Sequence, residues 1–397
     1  MNNAFMGKER TSAVVIGLST NGLGNVRALA RNGIPVIIFL SEAESREEYA
    51  ATRYGQKRIV PVTDGPSILE HLRGLPGGTR HIIYPTTDYQ VKYLSQNREK
   101  LPPNCVLQFP DDKVVQTLLD KELFDQFCRD HAYPVPETQL VRNEADISRV
   151  CRNMPFPVIV KTATKIYKKG LEKAYIISDG NELAEWYKSI QDIHREFVLQ
   201  RYIPGTDLSV YFTMQYISAK GELLASFTGR KIRQWPPLKG GTSSAEPAYN
   251  EFLTDMTRDF FRKAGFWGIG SMEYKLDSRD GKYYMIEPTV CRTDFQEGVA
   301  IANGINIPLV AYKAMTEQVV QPVFQKKTDK KAWMHTLYDR LSKDWYLDQK
   351  KITYFEWLAS LRNVRSFDAF SARDPGPLLK SFLEKVNNRF GRLLNRK

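Results

Sequence analysis

Cysteine and histidine are scarce in this chain, at four and five of 397 residues. Cys105, Cys128, Cys151 and Cys291 show no CxxC spacing, which excludes a zinc ribbon and a disulfide framework and reads as reduced thiols. Long hydrophobic runs are missing too. The longest, such as IPVIIFL (Ile34–Leu40), are strand-sized and far short of a membrane span. MNNAFMGKERTS at the start has no apolar core of the kind a secretory leader carries, so the expected location is cytoplasmic. The glycine turn STNGLG (Ser19–Gly24) lacks GxGxxG spacing and argues against a dinucleotide site. Charge of one sign is in excess, at a net +12, but unevenly placed. From Lys326 onward there are 17 Lys and Arg against 8 Asp and Glu, leaving the body near neutral. No RRM, KH, zinc-finger or helix-turn-helix pattern accompanies the basic tail, so nucleic acid is not the expected partner.

What is present begins with alternating strand and helix over the first hundred residues. SAVVIGL, IPVIIFL and RHIIYPTTD read as buried strands of a parallel, doubly wound sheet. Ligands bind outside the carboxyl ends of such strands, which points to Ser19–Gly24 with Asn21 and to Thr86–Asp88 with Asp88. A helical region, Asp111–Ala132, precedes a small α+β unit containing PFPVIVKTA and KAYIISD. REFVLQRYIPGTDLSVYFTMQYI then opens a third unit with strands, the helix Tyr249–Ala264 and a hairpin. In that hairpin, Glu273 of GSMEYKLD and Glu287 of YYMIEPTV flank the turn DSRDGK, and folding there sets them opposite one another. Two carboxylates that close repel unless a proton or cation lies between them, and a hard cation such as Mg²⁺ satisfies the pair. The alternative is an exposed hairpin with one glutamate in solvent on each strand.

From about Thr11 to Gln318 the order of these parts resembles the ATP-grasp superfamily, in particular its carboxylate–amine ligases. The resemblance implies an α/β (α+β overall) ATP-grasp fold. Its parts would be an N-terminal doubly wound parallel-sheet domain (1–110), linker helices with a small lid (111–195), a larger α+β subdomain (196–325) and a mainly helical basic extension (326–397). It implies ATP and Mg²⁺ (or Mn²⁺) as cofactors, and activation of a carboxylate as an acyl phosphate that an amine attacks. Phosphoryl transfer of this kind needs cations on phosphates and accurate positioning. By the resemblance, Lys161, at the end of the apolar strand PFPVIVK, and Lys121, in LLDKELF, contact phosphates. VLQRYIPGTD is similar to the strand that receives adenine, with Gln200, Arg201 and Ile203 at the base and Asp207 toward ribose. Glu273 and Glu287 fall at the metal carboxylates. The usual Glu-x-Asn-x-Arg reads EPTVCR here, so Thr289 replaces the asparagine as ligand and Arg292 arrives one residue late. Lys231 and Arg233 alternate on GRKIRQW and would point into one cleft, where with Arg292 they clamp the acyl phosphate. Gly241 and Thr242 follow as a turn offering backbone N–H groups to an anion. The loop over the phosphates, Thr162–Lys173, carries four lysines including Lys173 in place of a glycine-rich sequence.

Other readings stay open: a carboxylate–thiol ligase, a kinase-like phosphotransferase, or a nucleotide-binding protein that recruits partners through its basic tail. The expected partners are a small-molecule carboxylate and amine, with a homodimer left open. In the tail, Leu379, Phe382, Leu383, Val386, Phe390 and Leu393 form one helical stripe among Lys and Arg. Such a helix docks on the protein's own body or lies peripherally on the inner membrane face.

Overall fold

The computed structural model describes residues 10–162, 174–194 and 196–384. Five parallel strands, β1 (Arg10–Ile16), β2 (Val36–Ser41), β3 (Gln56–Val60), β4 (Thr79–Pro85) and β5 (Cys105–Val106), form a sheet in the order β3-β2-β1-β4-β5. Side chains alternate across a strand, so Ala13 and Val15 enter one apolar core while Val14 and Ile16 enter another. That double burial explains why SAVVIGL is apolar at every position from Ala13 to Ile16. The strand order reverses between β1 and β4, and the loops after them meet there. Thr86 Oγ1 donates to the Ile16 carbonyl at 2.7 Å, and Asn21 Nδ2 donates to the Thr86 carbonyl at 2.9 Å.

A second sheet is antiparallel: β6 (Thr138–Val141), β7 (Val158–Thr162), β8 (Ala174–Ile177) and β9 (Phe197–Arg201), ordered β6-β9-β7-β8. Val158, Val160, Phe197 and Leu199 face a core shared with the helices Glu144–Asn153 and Gly180–Ile190. The opposite face carries Ile159, Lys161 and Gln200 and forms one wall of a cleft. The expected boundary at 195 therefore separates β9 from the lid sheet to which its hydrogen bonds tie it.

The third sheet comprises β10 (Val210–Ile217), β11 (Leu223–Trp235), β12 (Gly241–Pro247), β13 (Gly268–Asp277), β14 (Lys282–Val290), β15 (Val323–Phe324), β16 (Ala332–Met334) and β17 (Val364–Phe367). Its main path runs β14-β13-β10-β11-β12-β16-β17, with β15 beside β11. β16 and β17 come from the segment expected to be a mainly helical extension. The described part of that segment is mainly helical as expected, with helices at Thr336–Asp348, Tyr354–Ser360 and 376–384, but it also adds two short strands: β16 pairs with β12 and supplies partners to an edge that would otherwise be bare. The helix Thr336–Asp348 lies over β11, and a buried ion pair at 2.8 Å between Arg27 and Asp374 joins the segment to the first sheet's domain.

Candidate active site

The hairpin β13–β14 places Glu273 and Glu287 as register partners. One register shift beside them, between Glu273 and Tyr274, leaves Ile286 without a partner. Counting outward by two, Ser271 pairs with Thr289 on the same face, so Thr289 stands one step beyond the glutamates. Ser271 Oγ donates to Asp294 Oδ2 at 2.8 Å, bringing a third carboxylate to the end of that row. Lys231 Nζ sits 2.6 Å from Glu273 Oε2 and is itself buried, which offsets the repulsion between the paired acids. Among the described residues no cluster of three or more His, Cys, Asp or Glu could enclose a metal alone. Two carboxylates without a closed cage fit Mg²⁺, which completes its shell with substrate phosphates and water, and do not fit structural zinc.

Around this pair lies a cavity of 220 Å³ between the lid sheet and the third sheet. Lys161 and Gln200 face it from the lid, with Lys161 Nζ donating to Gln200 Oε1 at 3.3 Å. Lys121 reaches it from the first residue of the helix Lys121–Asp130, which Asp120 caps through the N–H groups of Glu122 and Leu123. Arg201, the last residue of β9, and Tyr202 and buried Ile203 after it run along the cavity's edge. Gln234, Leu238, Lys239 and Gly240 close the side below. Lys275 belongs to this cavity, although the sequence reading passed over it. It is two residues from Glu273 on β13, so the alternation in MEYKLD carried the signal. Burial pulls its ammonium below the ordinary lysine value; Asp207 and Glu273 pull it back up, and Lys231 adds to the lowering.

At the far end Arg292 Nε donates to Asp88 Oδ1 at 2.6 Å, joining the third sheet to the helix that begins after β4. Burial alone would lower the Arg292 pKa, but Asp88, Asp294 and Glu287 hold it above its ordinary value. The guanidinium is thus firmly charged at this end of the cavity. Asn21 is close by but turned to framework duty, donating to the carbonyls of Thr86 and Thr293.

The fold is similar to that of several solved structures. The biotin carboxylase domain of Hydrogenobacter thermophilus 2-oxoglutarate carboxylase, solved with MgADP, ADP and bicarbonate, superposes with a TM-score of 0.64 at 14% identity over 81% of this chain and 72% of that one. N5-carboxyaminoimidazole synthetase from Staphylococcus aureus matches with a TM-score of 0.63 at 15% identity over 84% of each chain. The chain has the ATP-grasp fold. In sequence it is similar to D-aspartate ligase of Enterococcus faecium (strain Aus0004), 23% identical over 71% of this chain and 72% of the relative. A shorter stretch of 91 residues is 29% identical to D-alanine–D-alanine ligase of Solibacter usitatus (strain Ellin6076), covering 23% of this chain and 27% of that ligase. No family model matches the chain.

Within this ATP-grasp frame, Lys121, Lys161, Gln200, Arg201, Ile203, Glu273, Glu287, Asp88 and Arg292 share one cavity. Lys231 supports its wall through Glu273. Other expected members stand elsewhere. Two register shifts at 231–233 and 233–234 end the alternation on β11, and Arg233 turns to the helix Thr336–Asp348, with Nε and Nη2 each 2.7 Å from Asp339 Oδ1. Asp207, expected at ribose, is buried and accepts from Gln234 N, Gln234 Nε2, Leu238 N and Tyr346 Oη. Gly241 and Thr242 are strand residues paired with Trp235 and Gln234 in place of the expected turn. Lys173 and the loop 163–173 lie outside the described residues.

Proposed function

We propose that this chain is an ATP-dependent ligase that activates a carboxylate as an acyl phosphate and joins it to an amine, releasing ADP and phosphate. The observation that carries this reading is the register pair Glu273–Glu287 facing Lys161 across one cavity. ATP would lie with its base along Gln200–Ile203 and its phosphates toward Lys161 and Lys121. Glu273 and Glu287, with Thr289 beyond them, would hold Mg²⁺, whose chemistry is to neutralise phosphate charge as the γ-phosphoryl is transferred. A carboxylate oxygen bonds to the γ-phosphorus as the bond to ADP breaks. The amine nitrogen then bonds to the carbonyl carbon, phosphate leaves, and the amine gives up its proton. Arg292, oriented by Asp88, would steady the anionic end of the acid, and Lys275 adds positive charge beside Glu273. The D-aspartate ligase relative and the bicarbonate in the carboxylase neighbour supply the first acids to try.

The deciding experiment is an ADP-release screen with Mg²⁺, ATP and candidate acids, D-aspartate and bicarbonate among them, each with and without amines and thiols. Stimulation that needs both an acid and an amine supports the reading. Stimulation by thiols alone, by an acid without any acceptor, or by nothing overturns it.

For the tail, a peripheral contact with an anionic membrane surface is the partner we infer. In the helical stretch 376–384, Leu379, Phe382 and Leu383 are exposed, and Lys380 Nζ donates to the Glu47 carbonyl at 2.8 Å. An apolar stripe with a surplus of basic residues suits that surface. Val386, Phe390 and Leu393, which the stripe would continue through, lie outside the described residues.

A further inference from the structure

Asp207 and Gln234 are both buried and join a segment beyond the sequence resemblance to the glutamate pair. Tyr346, on the helix Thr336–Asp348, donates its hydroxyl to Asp207 Oδ2 at 2.6 Å. Asp207 Oδ1 accepts from Gln234 Nε2 at 2.8 Å, and Oδ2 accepts from Gln234 N at 2.8 Å, so both the main chain and the amide of Gln234 are held. Gln234 Oε1 in turn accepts from Lys231 Nζ at 3.1 Å, and that ammonium sits 2.6 Å from Glu273 Oε2. The path runs Tyr346–Asp207–Gln234–Lys231–Glu273. A second anchor lies two helical turns before Tyr346 on the same face, where Asp339 grips Arg233 and accepts from Trp357 Nε1 at 3.1 Å.

We propose that the helix Thr336–Asp348 is a positioning element of the metal site, with Tyr346 as its acting residue. The physical argument is one of satisfied donors. With its amide bound to Asp207 Oδ1 and its main-chain N–H held by Oδ2, Gln234 presents its amide oxygen to Lys231 in one direction only, so the ammonium approaches Glu273 from one side and leaves the rest of that carboxylate to a cation. Without the tyrosine hydroxyl, Asp207 loses one of four donors, and it no longer fixes Gln234 in a single orientation. Lys231 is then free to cover more of Glu273 and to compete with the metal for it. Asp207 also accepts from Leu238 N at 3.2 Å, so the same carboxylate shapes the strand-to-strand loop that borders the cavity.

This inference rests on the reading of Glu273 as a metal carboxylate. Its test measures binding of a fluorescent ADP analogue to the full chain while MgCl₂ is titrated, beside a metal-free arm with EDTA. Tyr346→Phe is expected to raise the Mg²⁺ concentration at half-maximal binding by about tenfold, the scale of one charge-assisted hydrogen bond. Its affinity for the analogue in EDTA should stay at the wild-type value. Arg340→Ala, on the exposed side of the same helix, should titrate as wild type. Gln234→Met, which removes the middle of the path and leaves the helix intact, should shift the Mg²⁺ midpoint in the same direction. An unchanged midpoint in Tyr346→Phe, or an equal loss with and without Mg²⁺, overturns the proposal. A wild-type protein that binds the analogue without regard to Mg²⁺ removes the metal reading itself and this proposal with it, a result told apart by the wild-type arm alone.

Discussion

Replacing Arg233 by Met separates two roles that the sequence leaves superposed on one residue. The Arg233 and Asp339 side chains are 7% and 2% exposed, so solvent does little to screen the pair. Removing the guanidinium leaves Asp339 buried with the Trp357 N–H as a remaining donor. Breaking one partner of such a pair costs about 3–5 kcal/mol, whereas replacing both by apolar groups of similar volume is close to neutral. With an unfolding entropy of about 2.1 cal/mol/K per residue, a loss of that size lowers Tm by on the order of 5 °C in a chain of this length. Thermal scans of wild type, Arg233→Met and Arg233→Met/Asp339→Leu, run beside ADP-release assays well below Tm, read both quantities. The single variant should lose stability, the double variant should regain most of it, and turnover in both should stay within about threefold. Losing an arginine that clamps a transition-state anion would instead reduce kcat by on the order of 100-fold. A fall of that size with Tm unchanged would refute the assignment of Arg233 to the ion pair.

Glu273→Ala combined with Glu287→Ala should abolish the Mg²⁺ dependence of nucleotide binding measured by calorimetry, and a surviving dependence would remove both glutamates from the metal site. Glu297 is buried with neither carboxylate oxygen bonded, and burial, with Asp294 second, pushes its pKa well above the ordinary value of 4.5. Its raised pKa means that the folded state holds the proton more firmly than the unfolded chain does. Stability is therefore full below about pH 4.5 and falls as pH rises toward the folded value. Glu297→Gln should match wild type in Tm near pH 4 and exceed it at pH 8, by about 1 kcal/mol or more in stability; a lower Tm at pH 8 would show that the charged form has a partner. For the tail, sedimentation with vesicles containing anionic lipid should show salt-sensitive binding that disappears on truncation after Pro375. Binding that persists without those residues places the contact elsewhere, and binding to neutral vesicles alone excludes the charge argument.

Much of this site is written locally. The turn at 277–282 with alternating strands on either side brings the two acidic stretches across from one another, but counting outward from it would pair Glu273 with Ile286, and the bulge at Ile286 shifts the register so that Glu273 meets Glu287. Lys161 ends an apolar strand whose alternate residues fill the lid core, so its own face has to be the cleft. Lys275 was equally legible by the same count of two from Glu273. Asp207 and Arg233 were not. Their partners Tyr346 and Asp339 lie 139 and 106 residues away, and a short-range pattern cannot distinguish an acid awaiting ribose from one already saturated by donors out of another part of the chain. The two register shifts on β11 had the same effect, turning a side chain to the other face where the sequence shows uninterrupted alternation. The sequence by itself determined which strands form and that the two acidic stretches share one hairpin, since those follow from periodicity and a turn, while the bulge at Ile286 set Glu273 opposite Glu287. Only the tertiary structure decided which charged groups remain available to a ligand, because that depends on burial and on partners brought together by the packing of distant segments.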